Sequence, residues 1–522
     1  MLVKIAPLCS RSGNPEDAVQ NQTVVFRLST AAGAARPHKR SKKCPFIITH
    51  QTTNQISLPS ERELESRFNR FGNPLCQQNL ATSLPAIALD LHQDPVALKL
   101  AFTAYLLSLA VFIPLSGWCA DRFGSRTVFR AAIAVFTLGS IACAFTETLG
   151  GFVGARILQG LGGAMMVPVG RLVVLRSIPK RDLVNAMAWL TTPALIGPVV
   201  GPLVGGFITT YFHWRWIFWI NVPIGLLGIG LATAFIPDMR DENRQPLDLI
   251  GLLLTGFGMA TLVFGVTIIG RDFLPENQVI ALIVIGLILL CTYVLYARRA
   301  KAPVIDLTLL KITTYRTAIV GGTLFRIGIG AVPFLLPLML QIGFGLSAFE
   351  SGSLTFVAAV GALVMKVTAK YVLKAYGFRR VLIGNALLSA VLLAATGLIG
   401  KSTPYVIIYP LLLIGGFFRS LQFTSLNTIA YAEISQHRMS HATSFASVAQ
   451  QLSSSFGVAA AAIVLEVMQS RRGDLTFQIS DFSTAFFVVA LISASSVLFH
   501  LQLKPDAGEE ISGHRSAEKA RR

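Results

Sequence analysis

The sequence predicts an all-α polytopic membrane protein, a bundle of about fourteen transmembrane helices. Three observations carry this. Hydrophobic residues make up 53% of the chain and charged residues only 14%, where a soluble chain averages about 25% charged. Apolar runs of roughly 20 residues, the length that crosses a bilayer, recur with short connections from residue 75 to 503. Lys and Arg gather in those connections, mostly on one side. A mean hydropathy of +0.61 agrees, as do 44 glycines and 24 prolines, both more frequent in membrane helices than in soluble ones.

Residues 1–72 stand apart. They are polar, contain the basic run His38-Lys39-Arg40-Ser41-Lys42-Lys43, and have no apolar stretch long enough for a signal-peptide core. Their composition predicts disorder, with a transit peptide as the weaker alternative. The spans that follow are expected near 75–91, 99–119, 127–146, 150–176, 183–211, 217–236, 247–269, 278–298, 317–343, 350–371, 380–400, 404–431, 441–468 and 481–503. The first holds Gln77, Gln78, Asn79 and Asp90 and would insert poorly alone. Residues 504–522 form a polar tail.

Orientation follows from the loops. If the loop after the second span is cytoplasmic, that side carries eighteen Lys and Arg residues, from Arg122 to Arg438, against six on the other, from Lys99 to Arg472. Both tails are then expected in the cytoplasm when all fourteen helices insert. The net charge of +19 is this loop pattern and not a nucleic-acid surface. The six cysteines show no CxxC spacing and read as small hydrophobes. No HExxH, paired-His, nucleophile-elbow or Walker A pattern occurs. The expectation is therefore no enzyme, no metal, no cofactor and no direct use of ATP. The bilayer is the one obligatory partner.

A faint repeat divides the chain. Residues 117–130 follow the second span and residues 369–382 follow the tenth, with Gly377-Phe378-Arg379 echoing Gly124-Ser125-Arg126. Two such loops, each after the second helix of a six-helix set, suggest duplicated halves. The expected domains are 73–236, an inserted helix pair at 247–298, and 317–503.

Three motifs carry mechanism. At the turn after the second span, Gly117-x-x-x-Asp121-Arg122-x-Gly124-x-Arg126 combines a glycine for close helix approach, a glycine for a tight turn, and an acid at the membrane edge. Asp121 is expected to pair with Arg122 or Arg126, or to face the N-terminus of an adjacent helix, as a latch made in one state and broken in another. In the fourth span Arg156 precedes Gln159 and Gly160. An intramembrane arginine points to a functional site by default, holding a proton-carrying partner or an anionic group, with outward snorkelling the plainer alternative. In the fifth span Gly197, Gly201 and Gly205 recur every four residues, beside Pro198, Pro202 and Gly206. That face packs closely and the prolines permit bending.

Together these motifs resemble the major facilitator superfamily. They match its G-x-x-x-D-R-x-G-x-R loop, its fourth-helix R-x-x-Q-G motif (Arg156, Gln159, Gly160) and its fifth-helix G-x-x-x-G-P-x-x-G-G antiporter motif (Gly197, Gly201, Pro202, Gly205, Gly206). The span count and the run at 214–225 look like the fourteen-helix drug:proton antiporter family of the EmrB/QacA type. The resemblance covers about residues 75–503. It implies the major facilitator fold, two six-helix halves plus two inserted central helices, and proton-driven export of drug-like or toxic small molecules. It also implies a bacterial inner membrane, and leaves room for a periplasmic adaptor and an outer-membrane channel as partners.

One departure stands out. The family's first helix carries an aspartate a few residues before A-L-P-x-I, whereas Leu75-Cys76-Gln77-Gln78-Asn79-Leu80 precede the matching stretch here. A short deletion or frame disturbance near residues 70–80 would account for it, so a transport-defective relative with a damaged first helix remains an alternative, as does an exporter of one specific metabolite. Arg326, Gln341, Arg419, Gln422 and Asn427, inside the ninth and twelfth spans, are candidates to line the cavity; the alternative is that the arginines pair with carbonyls or with Glu433. The cluster Tyr211, Phe212, Trp214, Trp216, Phe218 and Trp219 is expected to be an interfacial belt.

Overall fold

The computed structural model describes residues 87, 90–91, 95–190, 207–208, 211–237, 246–268, 274–346, 348–472 and 477–514. The expected N-terminal disorder, most of the first expected span and the second part of the fifth lie outside them, and with them the whole antiporter motif Gly197, Gly201, Pro202, Gly205 and Gly206. Among the described residues there is no strand.

The helices follow the apolar runs. The second expected span is a bent pair, α1 (Pro95–Phe112) and α2 (Leu115–Phe123), angled by 57°. Pro114 at the break has no N–H to continue the ladder, and the Ser116 hydroxyl donates to the Ile113 carbonyl. Next come α3 (Ser125–Phe145) and α4 (Leu149–Ser177). Thr148 caps α4 by accepting from the Gly151 amide, and Arg176 sits in its last turn, where the helix dipole favours a cation. Then follow α5 (Leu183–Leu190), α6 (Trp216–Phe235), α7 (Leu249–Thr267) and α8 (Glu276–Ala297). The remaining helices are α9 (Thr313–Gly343), α10 (Ala348–Gly397), α11 (Tyr405–Ile429), α12 (Met439–Arg472), α13 (Ile479–His500) and the short α14 (Glu509–Ser512).

The 50 residues of α10 are two spans in sequence, broken at Gly377 (φ 72°, ψ 163°). Gly124, between α2 and α3, has φ 89° and ψ 137°. The two glycines that the sequence repeat aligns thus share one conformation of positive φ and extended ψ, which essentially only glycine adopts and which costs other residues about 1–3 kcal/mol.

Lipid tails are as apolar as leucine, so contact geometry holds the bundle together rather than exclusion of water. Within the first half α4 packs on α3 and α1. Within the second, α10 packs on α11, and α9 on α12 and α13. Fully buried Phe152, Phe218, Phe325 and Phe486 fill the interior, while exposed Leu226, Ile288, Val406 and Leu491 form a face suited to lipid. The α7–α8 pair meets both sides of the seam, because α7 touches α1 and also α12. Its ends are tied by Asp248, which caps α7 at the Gly251 amide and accepts from the Tyr296 hydroxyl (2.7 Å) and the Val304 amide (3.1 Å).

After α8 the chain is pinned to the start of α12 by Asp306 and Arg438, 2.6 Å apart. Burial alone would raise the Asp306 carboxyl, but the hydrogen bonds from Thr308 and Arg438 and the Arg438 charge outweigh it and hold the group below the usual carboxylate range.

Candidate functional site

The motif loop after α2 sits where the two halves meet on the basic side. Gly117 faces α12 so closely that a Cβ there would lie 2.7 Å from the Ser444 Oγ and 2.9 Å from the Ser440 carbonyl oxygen. The Ser116 and Ser444 hydroxyls are 2.9 Å apart and share a hydrogen bond. Asp121 pairs with Arg176 of α4 (3.0 Å) and accepts from the Ser440 hydroxyl in the first turn of α12. The ion-pair partner, Arg176, is not one of the two arginines expected from the sequence, and the Ser440 contact sets the carboxylate beside the first turn of α12, an end of a helix that favours an anion. Arg122 is exposed, Arg126 is half-buried, and neither bonds Asp121.

Further contacts close the same side. Arg171 of α4 donates to the Tyr431 hydroxyl and to the Gln450 Oε1, both at 3.3 Å. The basic-side half of the fifth span, α5, lies against α10 and α11. Lys180 reaches Glu510 of α14 at 3.0 Å, an exposed pair that contributes little.

Arg156 does not snorkel. It is fully buried, donates to the Gln159 Oε1, and stacks 4.4 Å over the Tyr105 ring. Gln159 in turn donates to Ser140 of α3, which also accepts from Asn221 of α6. Gly160 brings α4 against Ser108 of α1. The second half repeats this network. Gln422 of α11 accepts from Asn385 (2.8 Å), on the part of α10 after the break, and lies 3.1 Å from His500 of α13. Arg156-Ile157-Leu158-Gln159 and Arg419-Ser420-Leu421-Gln422 are therefore one R-x-L-Q pattern on equivalent helices.

The two arginines of that repeat differ in setting. Arg419, with Arg326 and Gln341, lines a cavity of about 800 Å³ in the second half. The cavity runs from Gln341, Ser351 and Thr396, at the helix ends away from the basic side, down to Arg326, Arg419 and Gln450. Arg326 is anchored by the Asn427 Oδ1 at 3.2 Å and faces the Phe423 ring at 5.9 Å. Gln422 lies behind the cavity wall and Asn427 supports Arg326 from below, so neither lines the space. Glu433 accepts from Thr314 and pairs with neither arginine.

The aromatic cluster divides. Tyr211, Phe212 and Trp216 are exposed, as a belt requires. Trp214 and Phe218 are buried against Phe152 in edge-to-face contacts at 6.0 and 5.7 Å, so they belong to the core.

Several functional candidates escaped the sequence reading. Arg171 and Lys366 sit inside long apolar spans and belong to no motif. Lys366 is 2% exposed and donates to the Thr424 Oγ1 at 3.2 Å. Asn385, His500 and Gln450 carry no motif. The R-x-L-Q repeat was the available signal for the second polar network, and it lay in plain view.

Comparison with known proteins agrees with this arrangement. A family model described as the Major Facilitator Superfamily matches residues 68–458 and, in a second match, 318–521. A relative from Haemophilus influenzae named as a transport protein, HsrA, is 36% identical over 79% of this chain and 90% of its own. A relative from Pectobacterium carotovorum named for multidrug resistance, MdtD, is 39% identical over 76% of this chain and 85% of its own. Among solved structures the proton:xylose symporter XylE shares the fold, with a TM-score of 0.60 and 14% identity, covering 86% of this chain and 96% of that one. The motif turn, the paired polar networks and these matches place the protein: it is a multi-pass membrane transporter, not an enzyme, and it belongs to the major facilitator superfamily, in the drug:proton antiporter family.

Proposed function

We propose that the chain is a proton-coupled exporter of small organic molecules, working by alternating access between two six-helix halves, 73–236 and 317–503, with 247–298 as an inserted pair. One observation carries the reading. The Asp121 latch joins the halves on the basic side, while the 800 Å³ cavity lies toward the other side. A transporter resting with one side sealed and a substrate-sized space facing the other has the form that alternating access requires. The loop charges favour a cytoplasmic sealed side, with both tails in the cytoplasm if all fourteen helices insert, and the family resemblance favours a bacterial inner membrane. The names of the relatives favour export of drug-like compounds, through an adaptor and outer-membrane channel where the envelope has them.

The latch gives a direct test. Ser116→Cys with Ser444→Cys, in a background freed of native thiols, places two thiols where hydroxyls now lie 2.9 Å apart. Oxidation is expected to lock the basic side and stop transport, and reduction to restore it. Uncouplers are expected to stop transport in the unlocked protein. Transport that continues through the locked pair, or persists without a proton gradient, would count against alternating access or against proton coupling respectively.

A further inference from the structure

The electrical character of the interior is one-sided. Arg156, Arg171, Arg326 and Lys366 are each at most 5% exposed, deep in the bundle. The one comparably buried acid among the described residues is Asp481, at the start of α13 and paired with Arg472. The cavity shares this bias. Arg326 and Arg419 line it, and among the described residues no Asp or Glu does. Arg419 has no hydrogen bond or ion pair among the described residues. The Nε and Nη1 of Arg326 are buried without partners, although its Nη2 is held by Asn427. Unpaired guanidinium groups inside a membrane are costly and find a counter-charge where they can. Leu336, Leu393, Leu412, Phe423 and Val458 give the wall a large apolar area, among neutral polar groups such as Ser351, Thr355 and Ser454.

We propose that this cavity binds organic anions: an apolar body of drug size against the leucine and phenylalanine wall, and one carboxylate-like or sulfonate-like group between Arg326 and Arg419. A guanidinium offers parallel N–H donors that match such a group in geometry as well as charge. A volume of about 800 Å³ suits a drug-sized molecule. A cationic dye meets two positive groups and no acid among the described lining residues, so it is a poor ligand here. Gln341 and Gln450 also line the space, and both are neutral hydrogen-bonding groups that leave the charge preference to the arginines. The proposal rests on the export reading, because it names the class of molecule exported.

The test uses three ligands with one apolar body, 2-naphthalenesulfonate, 2-naphthylmethanol and 2-naphthylmethylammonium, titrated calorimetrically into the purified full chain in nanodiscs. The sulfonate is expected to bind at least tenfold more tightly than the ammonium. Arg419→Gln is expected to remove that preference and Arg419→Lys to keep part of it, with unchanged thermal unfolding showing that both variants fold. Arg326→Lys serves as a second variant, since its charge stays buried. An anionic lipid headgroup offers the same chemistry, so the titration is repeated in phosphatidylglycerol and in phosphatidylcholine nanodiscs. Weaker sulfonate binding in phosphatidylglycerol alone would identify a lipid competitor at the same anion site. Absent or equal binding of the three ligands, a preference for the ammonium, or sulfonate binding unaltered by Arg419→Gln would overturn the proposal. Binding needs no transport, so such a failure would leave the crosslinking test of alternating access standing.

Discussion

At the scale of single residues, Asp121 decides the state of the basic side. Its carboxylate is 16% exposed and holds one cation and one hydroxyl, and a charge-assisted bond in such a setting is worth about 1.5–3 kcal/mol. Asp121→Asn keeps the shape and removes the charge. It is expected to shift the equilibrium toward an open basic side by roughly tenfold or more, since about 1.4 kcal/mol is a factor of ten. Faster modification of Ser444→Cys by a maleimide applied from that side would read this, and an unchanged rate would remove Asp121 from the latch. The acid itself was legible in the sequence, because its spacing from Gly117 and Gly124 is distinctive. Its partners were not. Arg176 lies 55 residues away and Ser440 lies 319 residues away, and no local pattern connects positions so distant. Arg156 shows the same limit: its place in an apolar span was plain, but its stack on Tyr105 follows only from how α1 meets α4.

At the scale of elements, the spans were legible because hydropathy reads directly as membrane length, and breaks were legible where glycine or proline forces them. Gly377 is an example. It sits at φ 72°, and a Cβ there would come within 2.8 Å of His514. Gly377→Ala is expected to cost about 1–3 kcal/mol and to lower the unfolding temperature in detergent, whereas Gly384→Ala, in open helical surroundings, is expected to be neutral or slightly stabilising. The tie between Asp306 and Arg438 was not legible, since it joins a loop to a helix 132 residues away. Its pH dependence has a definite sign. The folded Asp306 carboxyl titrates below its unfolded value, so its contribution is complete above the unfolded pKa of about 3.9. That contribution is lost as pH falls through the lower folded value. Unfolding followed from neutral pH down into this acid range is expected to show a loss of stability that is smaller in Asp306→Asn.

At the scale of the whole molecule, apolar packing runs through both halves, and on the basic side a few polar contacts cross the seam within it. That is the expected design for a two-state machine, because each contact is small enough for binding energy to reverse. The polar networks around Gln159 and Gln422 lie inside their own halves and tie helices within each, so they can move as part of rigid bodies. The latch at Asp121 and the bonds of Arg171 to Tyr431 and Gln450 cross the seam and share no partner. Contacts without shared partners contribute nearly additively, within about 0.3–0.5 kcal/mol. Arg171→Gln and Asp121→Asn are therefore each expected to speed labelling of Ser444→Cys, and the double variant to show close to the product of the two factors. Gln159→Leu is expected to lower stability and leave that rate nearly unchanged, because its bonds stay within one half. A double variant no faster than either single one would mean that the two contacts break as a single unit, with the basic side opening in one concerted step.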